Sequence, residues 1–285
     1  MIALIPFTPD PVAVRLGPVP VHWYGIGYAV GLVGAYLVMT REARRRGLDP
    51  QVVDRAMVVV TVAGLIGARA YHVIDQWDRY AHDLPAIVLP PYTGLGVLGG
   101  ILTGTVALVV LLRRWRQDFW QWADVVAPGA FVVQAAARWG NYANQELYGP
   151  PTHLPWGIAI DCAHRTEQWP CTAYPEATTG FQPLFLYESL SGVVGAITLL
   201  WVARRWGPRL RPGDLFLGWL IWYAVVRFGL ETLRNGNWTF GGVPTAMILS
   251  AVMVVVALAL LAWRHRPAAR DADAPRIPDP VDPLP

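Results

Sequence analysis

His22-Trp-Tyr-Gly-Ile-Gly-Tyr-Ala-Val-Gly-Leu-Val-Gly-Ala-Tyr-Leu-Val-Met39 contains no arginine, lysine or acidic residue, and it runs straight into Thr40-Arg-Glu-Ala-Arg-Arg-Arg46. An apolar run of about 20 residues is long enough to cross a bilayer as a helix. A cluster of arginines directly after it marks the side that stays in the cytoplasm. The same pairing of apolar run and basic loop recurs along the chain, and it decides the fold class.

Composition agrees. The chain has 285 residues, of which 54% are hydrophobic and 15% charged, against about 25% charged in soluble domains. Every basic residue is arginine, and the net charge is +3. The arginines are spread over short loops rather than gathered on one face, so nucleic acid is not an expected partner. The predicted fold is all-α: a polytopic membrane protein with about seven transmembrane helices, near 22–39, 57–75, 94–112, 119–137, 183–203, 214–232 and 244–263. The fourth is expected to be interrupted by Asp124, Pro128 and Gln134. The loops after spans 1, 3 and 5 and the tail hold sixteen arginines, whereas the alternate loops hold only Arg15, Arg79, Arg165 and Arg234. The positive-inside rule then sets the N-terminus outside and the C-terminus inside.

Residues 1–265 read as one membrane domain with an outer loop at about 141–182, and 266–285 as a disordered cytoplasmic tail rich in Pro and Asp. The proline-rich first twenty residues lack the features of a cleaved signal peptide and are expected to form a short outer segment. Gly25, Gly27, Gly31 and Gly34 in span 1 suggest close helix packing. Cys162 and Cys171 share the outer loop, which allows a disulfide; free thiols are the alternative. Their spacing is not that of a zinc site, and His153 and His164 read as surface residues. No metal is expected.

Arg69, Arg138 and Arg227 lie near the outer ends of apolar spans. A buried arginine is costly in hydrocarbon and normally faces a cavity or a partner. Snorkelling to the head groups is the alternative for each one alone. Arg138 is followed by Asn141, Asn144 and Glu146, and by Gly149. Arg227 precedes Glu231 by one helical turn, with Arg234 on the same face; a plain helix-stabilising ion pair is the alternative there. Tyr71 accompanies Arg69, Tyr187-Glu188 opens span 5, and Tyr24 with His22 opens span 1. Guanidinium forks bind phosphate in a bidentate way, so this set suits an anionic phospholipid.

Arg138-Trp-Gly-Asn-Tyr-Ala-Asn-Gln-Glu-Leu-Tyr-Gly149 resembles the signature of the prolipoprotein diacylglyceryl transferases. Tyr24-Gly25, Gly67-Ala-Arg69-Ala-Tyr71, Gly99-Gly100, Pro183 to Glu188 and Arg227-Phe-Gly-Leu-Glu231 match in family order, with a loop style similar to the actinobacterial branch. The resemblance implies transfer of a diacylglyceryl group from phosphatidylglycerol to the lipobox cysteine of a preprolipoprotein. A thioether forms and glycerol phosphate leaves; this is the first step of lipoprotein maturation. It implies no cofactor, and a bacterial plasma-membrane location with the site toward the outer leaflet. By carry-over, Arg138, Arg227, Glu231 and Tyr24 are the expected catalytic residues. Arg138, Asn141, Asn144, Glu146, Gly149, Arg69, Tyr71, Arg234, Tyr187 and Glu188 are the expected phosphatidylglycerol-binding set. Arg138 and Arg227 are expected to hold the phosphate, with Asn141 and Asn144 shaping the head-group site. Many members have histidine where this chain has Leu98 and Gln182, so the base that activates the thiol is left open among Tyr24, Glu231 and His22. Rival readings are a transporter of anionic lipid or small anions, and an inactive paralogue that binds lipoprotein precursors.

Overall fold

The computed structural model describes residues 9–17, 19–88, 94–234 and 236–266. Of the expected tail, residues 267–285 lie outside the described residues, as do residues 1–8 and 18 of the expected outer segment.

A hairpin of β1 (Val12–Leu16) and β2 (Val19–His22) leads directly into α1 (Trp23–Arg45). Then come α2 (Gln51–Asp75), the single turn α3 (Trp77–Tyr80), α4 (Val97–Arg114) and α5 (Phe119–Ala143). A long connection carries the two-residue strands β3 (Pro151–Thr152) and β4 (Gly180–Phe181), which pair antiparallel. The chain finishes with α6 (Leu184–Trp206), α7 (Asp214–Glu231), a hairpin of β5 (Thr239–Phe240) and β6 (Val243–Pro244), and α8 (Thr245–Arg264). The β5–β6 turn has Gly241 and Gly242, both at positive φ, as the tightest hairpins require.

The seven long helices overlap the seven expected spans. Five of them, α1, α2, α4, α6 and α8, are long and apolar enough to cross a membrane. The other two are the polar ones: α7 carries Asp214, Arg227 and Glu231, and α5 carries Asp124, Gln134 and Arg138. The surface is inverted relative to a soluble protein. Val30, Val33, Leu37, Ile66, Ile101, Leu102 and Val255 are bare, whereas Glu42, Asp124, Asn141, Glu188 and Glu231 are buried. Exposed aliphatic faces around buried charges are what a bilayer solvent selects. The chain is a polytopic helical membrane protein.

α5 is the central helix, packed against α1, α6 and α7. The expected interruption does not occur: α5 is continuous through Pro128. The Asp118 carboxylate caps its start by accepting from the Gln121 N–H at 2.7 Å. Asp124 does not break the helix because its charge is spent elsewhere. Its two oxygens accept from the N–H groups of Gly213 (2.9 Å) and Phe216 (3.0 Å), which opens α7, and Arg46 lies 3.5 Å away. A buried carboxylate thus satisfies the orphan donors of a neighbouring helix.

The glycines expected to pack do so, with one exception. A Cβ on Gly31 would lie 3.0 Å from the Val133 Cα of α5, whereas one on Gly25 would meet nothing within 4 Å. α2 and α4 cross at Gly67 and Gly99, where a Cβ on Gly99 would lie 2.3 Å from the Gly67 oxygen. Small residues let backbones meet where lipid supplies no hydrophobic drive.

The α5–α6 connection folds into a small cap. Tyr148, Ile158, Ile160, Phe181 and Phe185 form its core. Cys162 and Cys171 are disulfide-bonded. Arg165 pins the cap by donating to the carbonyls of Ile160 (2.8 Å) and Tyr174 (2.6 Å), with its guanidinium over the Phe181 ring. Burial lowers the Arg165 guanidinium from its ordinary value, against the pull of Glu176.

Candidate active site

Three helix ends converge under this cap. The last turns of α5 and α7 meet the first turn of α6, and each contributes charge. Glu188 on α6 is the hub, with its side chain 2% exposed. Its Oε2 lies 2.5 Å from Arg138 Nη2 of α5. Its Oε1 accepts from Arg234 Nη2 at 2.8 Å and lies 4.0 Å from Arg227 Nη1 of α7. Glu231 is equally buried, 2.8 Å from Arg227 Nη2 and 3.9 Å from Arg234 Nε. The helical spacing of Arg227 and Glu231 therefore forms the pair that the sequence suggested. Burial lowers the Arg234 guanidinium from its ordinary value, while Glu188 holds it up.

A second chain of contacts runs from Arg138 toward α1. Arg138 Nη1 donates to Asn141 Oδ1 at 3.3 Å. The Asn141 amide nitrogen donates to Tyr24 Oη (2.9 Å) and to Glu146 Oε1 (2.8 Å). These two acceptors orient the amide, so its oxygen faces the guanidinium. Tyr24 reaches α5 because Gly140 has no side chain: a Cβ there would lie 2.7 Å from Tyr24 Cγ. Tyr28, one turn further, stacks on Tyr24.

The arginines are not satisfied by these partners. Among the described residues, Arg138 Nε, Arg227 Nη1 and Arg234 Nε have no acceptor, although all are buried from solvent. Glu231 Oε2 is close to Arg227 but out of line for a hydrogen bond. Three guanidiniums against Glu188 and Glu231 leave one positive charge in excess, and Glu146 joins only through Asn141. Unmet donors on preorganised cations in a dry site bind an oxyanion strongly.

Several expected site residues stand apart. Arg69 is spent on structure. It donates to the carbonyls of Ile87 (3.0 Å), Ala86 (2.6 Å) and Gly94 (3.2 Å) and lies over Tyr80, clamping the α2–α4 connection. Tyr71 packs on Gly96 and Gly99 in the same region. Asn144 is the C-cap of α5. Gly149 is a packing glycine whose N–H donates to the Gln182 carbonyl at 2.8 Å. Tyr187 accepts from the Trp156 indole at 2.8 Å, beside the hub. His22 is exposed at the start of α1. Leu98 is 67% exposed on α4, and the Gln182 backbone accepts from the Gly149 N–H and donates to the Pro150 carbonyl.

Two features escaped sequence reading. The Tyr28 stack had a signal, since it follows Tyr24 at helical spacing. The other is a pair in the cap, between the buried Gln145 and the part-exposed Asp161. Gln145 donates to Asp161 Oδ2 at 2.7 Å and accepts from the Asp161 N–H at 2.9 Å. Nothing in the sequence links positions sixteen residues apart across a loop.

A family model for prolipoprotein diacylglyceryl transferase matches residues 11–263. The chain is 34% identical over 258 residues to the phosphatidylglycerol--prolipoprotein diacylglyceryl transferase of Listeria monocytogenes serotype 4a, covering 90% of each chain. It is 36% identical over 265 residues to that of Chloroflexus aggregans (87% of each). It is 32% identical over 275 residues to that of Trichormus variabilis (94% of this chain, 95% of the relative). With the match spanning nearly every helix and the cap, the chain belongs to the prolipoprotein diacylglyceryl transferase family.

Proposed function

We propose that this protein transfers the diacylglyceryl group of phosphatidylglycerol to the lipobox cysteine of a preprolipoprotein. The observation that carries the reading is the set of three buried, unmet guanidinium donors around Glu188. They suit the single negative charge of a phosphodiester. The substrate sulfur, as thiolate, attacks the glyceryl carbon that bears the phosphate oxygen. The C–S bond forms, the C–O bond breaks, and its electron pair leaves on glycerol phosphate. The thiol proton leaves with the products. Charge grows on the departing phosphate, and fixed guanidiniums stabilise it without reorganising. Arg138 and Arg227 hold the phosphate, Arg234 supports it, and Glu188 and Glu231 aim all three. Asn141, held by Tyr24 and Glu146, keeps Arg138 in register. The geometry supports no such role for Arg69 and Tyr71.

In this reading all seven long helices cross the bacterial plasma membrane. The arginine-rich ends of α1, α4, α6 and α8 face the cytoplasm, by the positive-inside rule. Residues 1–265 are one membrane domain, and the cap, near 141–182, lies on its outer face at the outer leaflet. Both substrates, phosphatidylglycerol and the lipobox segment of the signal peptide, then arrive from the bilayer. The test is incubation of purified protein with phosphatidylglycerol and a lipobox peptide. Peptide heavier by one diacylglyceryl group supports the reading; absence of product with folded protein contradicts it.

A further inference from the structure

Glu146 sits in an unusual stretch of backbone. Gln145 and Leu147 on either side of it both have positive φ, 52° and 59°. Only a few per cent of residues other than glycine adopt this region, and they persist there when their surroundings hold them. Leu147 is held by its carbonyl, which accepts from the Phe185 N–H at 3.2 Å. Gln145 is held by its side chain, which is buried and makes its two bonds with Asp161. The other Asp161 oxygen accepts from the N–H groups of Ala163 and His164, each at 3.0 Å, and meets the His164 ring at 2.7 Å. Asp161 thereby caps the short helix that starts at Cys162, the first half of the disulfide. A continuous set of bonds links the disulfide-closed cap to Glu146, from Glu146 to Asn141, and from Asn141 to Arg138.

We infer that Gln145 and Asp161 are a pair of positioning residues that set the orientation of Asn141, and so of Arg138, by holding Glu146 in its left-handed turn. Neither touches the arginine cluster. An amide can face either way, and Asn141 presents its oxygen to Arg138 only while Glu146 and Tyr24 take its N–H groups. If Gln145 lets go, the turn relaxes, Glu146 withdraws and the amide is free to rotate. The rate term of this inference rests on the transferase reading; the structural term does not.

The chemistry of the pair supplies its own test. Gln145→Glu sets a carboxylate against Asp161, and Asp161→Asn alone takes an acceptor from Gln145 or from the short helix. Gln145→Glu with Asp161→Asn exchanges amide and carboxylate and satisfies every bond again. The kcat and KM for lipobox peptide are measured for wild type, both single variants and the exchange, with hydrogen exchange across 141–149 on the same samples. The expected result is about a tenfold fall in kcat for Gln145→Glu, with KM within about twofold, and faster amide exchange. The double exchange returns both readouts to within about twofold of wild type. A double variant no better than Gln145→Glu, or a Gln145→Glu variant with wild-type kcat and exchange, overturns the inference. If wild type makes no product, the transferase reading fails, and the exchange data alone decide whether the pair holds the turn.

Discussion

Glu188 on α6 and Arg138 on α5 meet at 2.5 Å, and the carboxylate is almost wholly removed from solvent. This contact joins the two helices that flank the cap, and it leaves the Arg138 Nε without a partner. Glu188 is therefore a counter-ion and also an aiming device. Replacing it separates the two effects. Glu188→Gln keeps the shape but leaves three cations with a single carboxylate, Glu231. Breaking one member of a buried ion pair costs about 3–5 kcal/mol. Lower thermal stability in detergent and at least a roughly tenfold loss of transfer are expected. Wild-type activity with lower stability would assign Glu188 to folding alone.

Gly140→Ala is expected to disable the site without touching a charge. The added methyl would lie 2.7 Å from Tyr24 Cγ and 2.9 Å from its Cα, so α1 must shift and the Tyr24–Asn141 bond must lengthen. Transfer should fall by about tenfold or more, since a misplacement near 1 Å is that costly. Gly25→Ala, where a Cβ meets nothing within 4 Å, is the control and should be close to wild type.

Asp124→Ala tests the remote cap on α7. It leaves the N–H groups of Gly213 and Phe216 and the Arg46 guanidinium without their acceptor. The expected cost is about 3 kcal/mol of unfolding free energy, read as a lower midpoint in thermal or denaturant unfolding. Asp124→Asn, which keeps one acceptor oxygen, should lose less. Equal losses would mean that the carboxylate charge matters more than the cap.

The cap should loosen in acid. Burial works to raise the Asp161 carboxyl, but bonds from His164, Gln145 and the His164 N–H outweigh it and hold the group below its ordinary value. A depressed carboxyl contributes stability that is fully present above the unfolded value, about 3.9, and that fades as pH falls through the folded one. The groups that face the Asp161 carboxylate are the His164 ring, at 2.7 Å, and the nearby Arg165 guanidinium. Proteolysis within 141–182 should stay flat from pH 7 to about 5 and rise below about 4. An unchanged rate down to pH 3 would contradict the assignment, as would a break near pH 6.

Much of this was legible in the sequence, because apolar runs and arginine placement encode helices directly. Arg227 and Glu231 were legible for the same reason: helical spacing fixes a shared face. Direction around the bundle was not legible. Arg69 reads as an equal of Arg138 and Arg227, yet it points into the α2–α4 connection, where carbonyls consume its donors. Asp124 reads as a helix breaker because its partners, at the start of α7, are some ninety residues away. Glu188 could be named from its motif, but its three arginine partners come from two other chain segments and no local pattern announces them.

The central claim is that Arg138 and Arg227 hold the phosphate while a lipobox thiol takes the diacylglyceryl group. The most direct measurement is the mass of a lipobox peptide after incubation with phosphatidylglycerol and wild-type, Arg138→Ala or Arg227→Ala protein. Wild type should add one diacylglyceryl group and release glycerol phosphate. Each variant should be slower by roughly 100-fold or more, as for loss of a preorganised oxyanion donor. An unmodified peptide with folded wild-type protein, or equal product from the arginine variants, would contradict the claim.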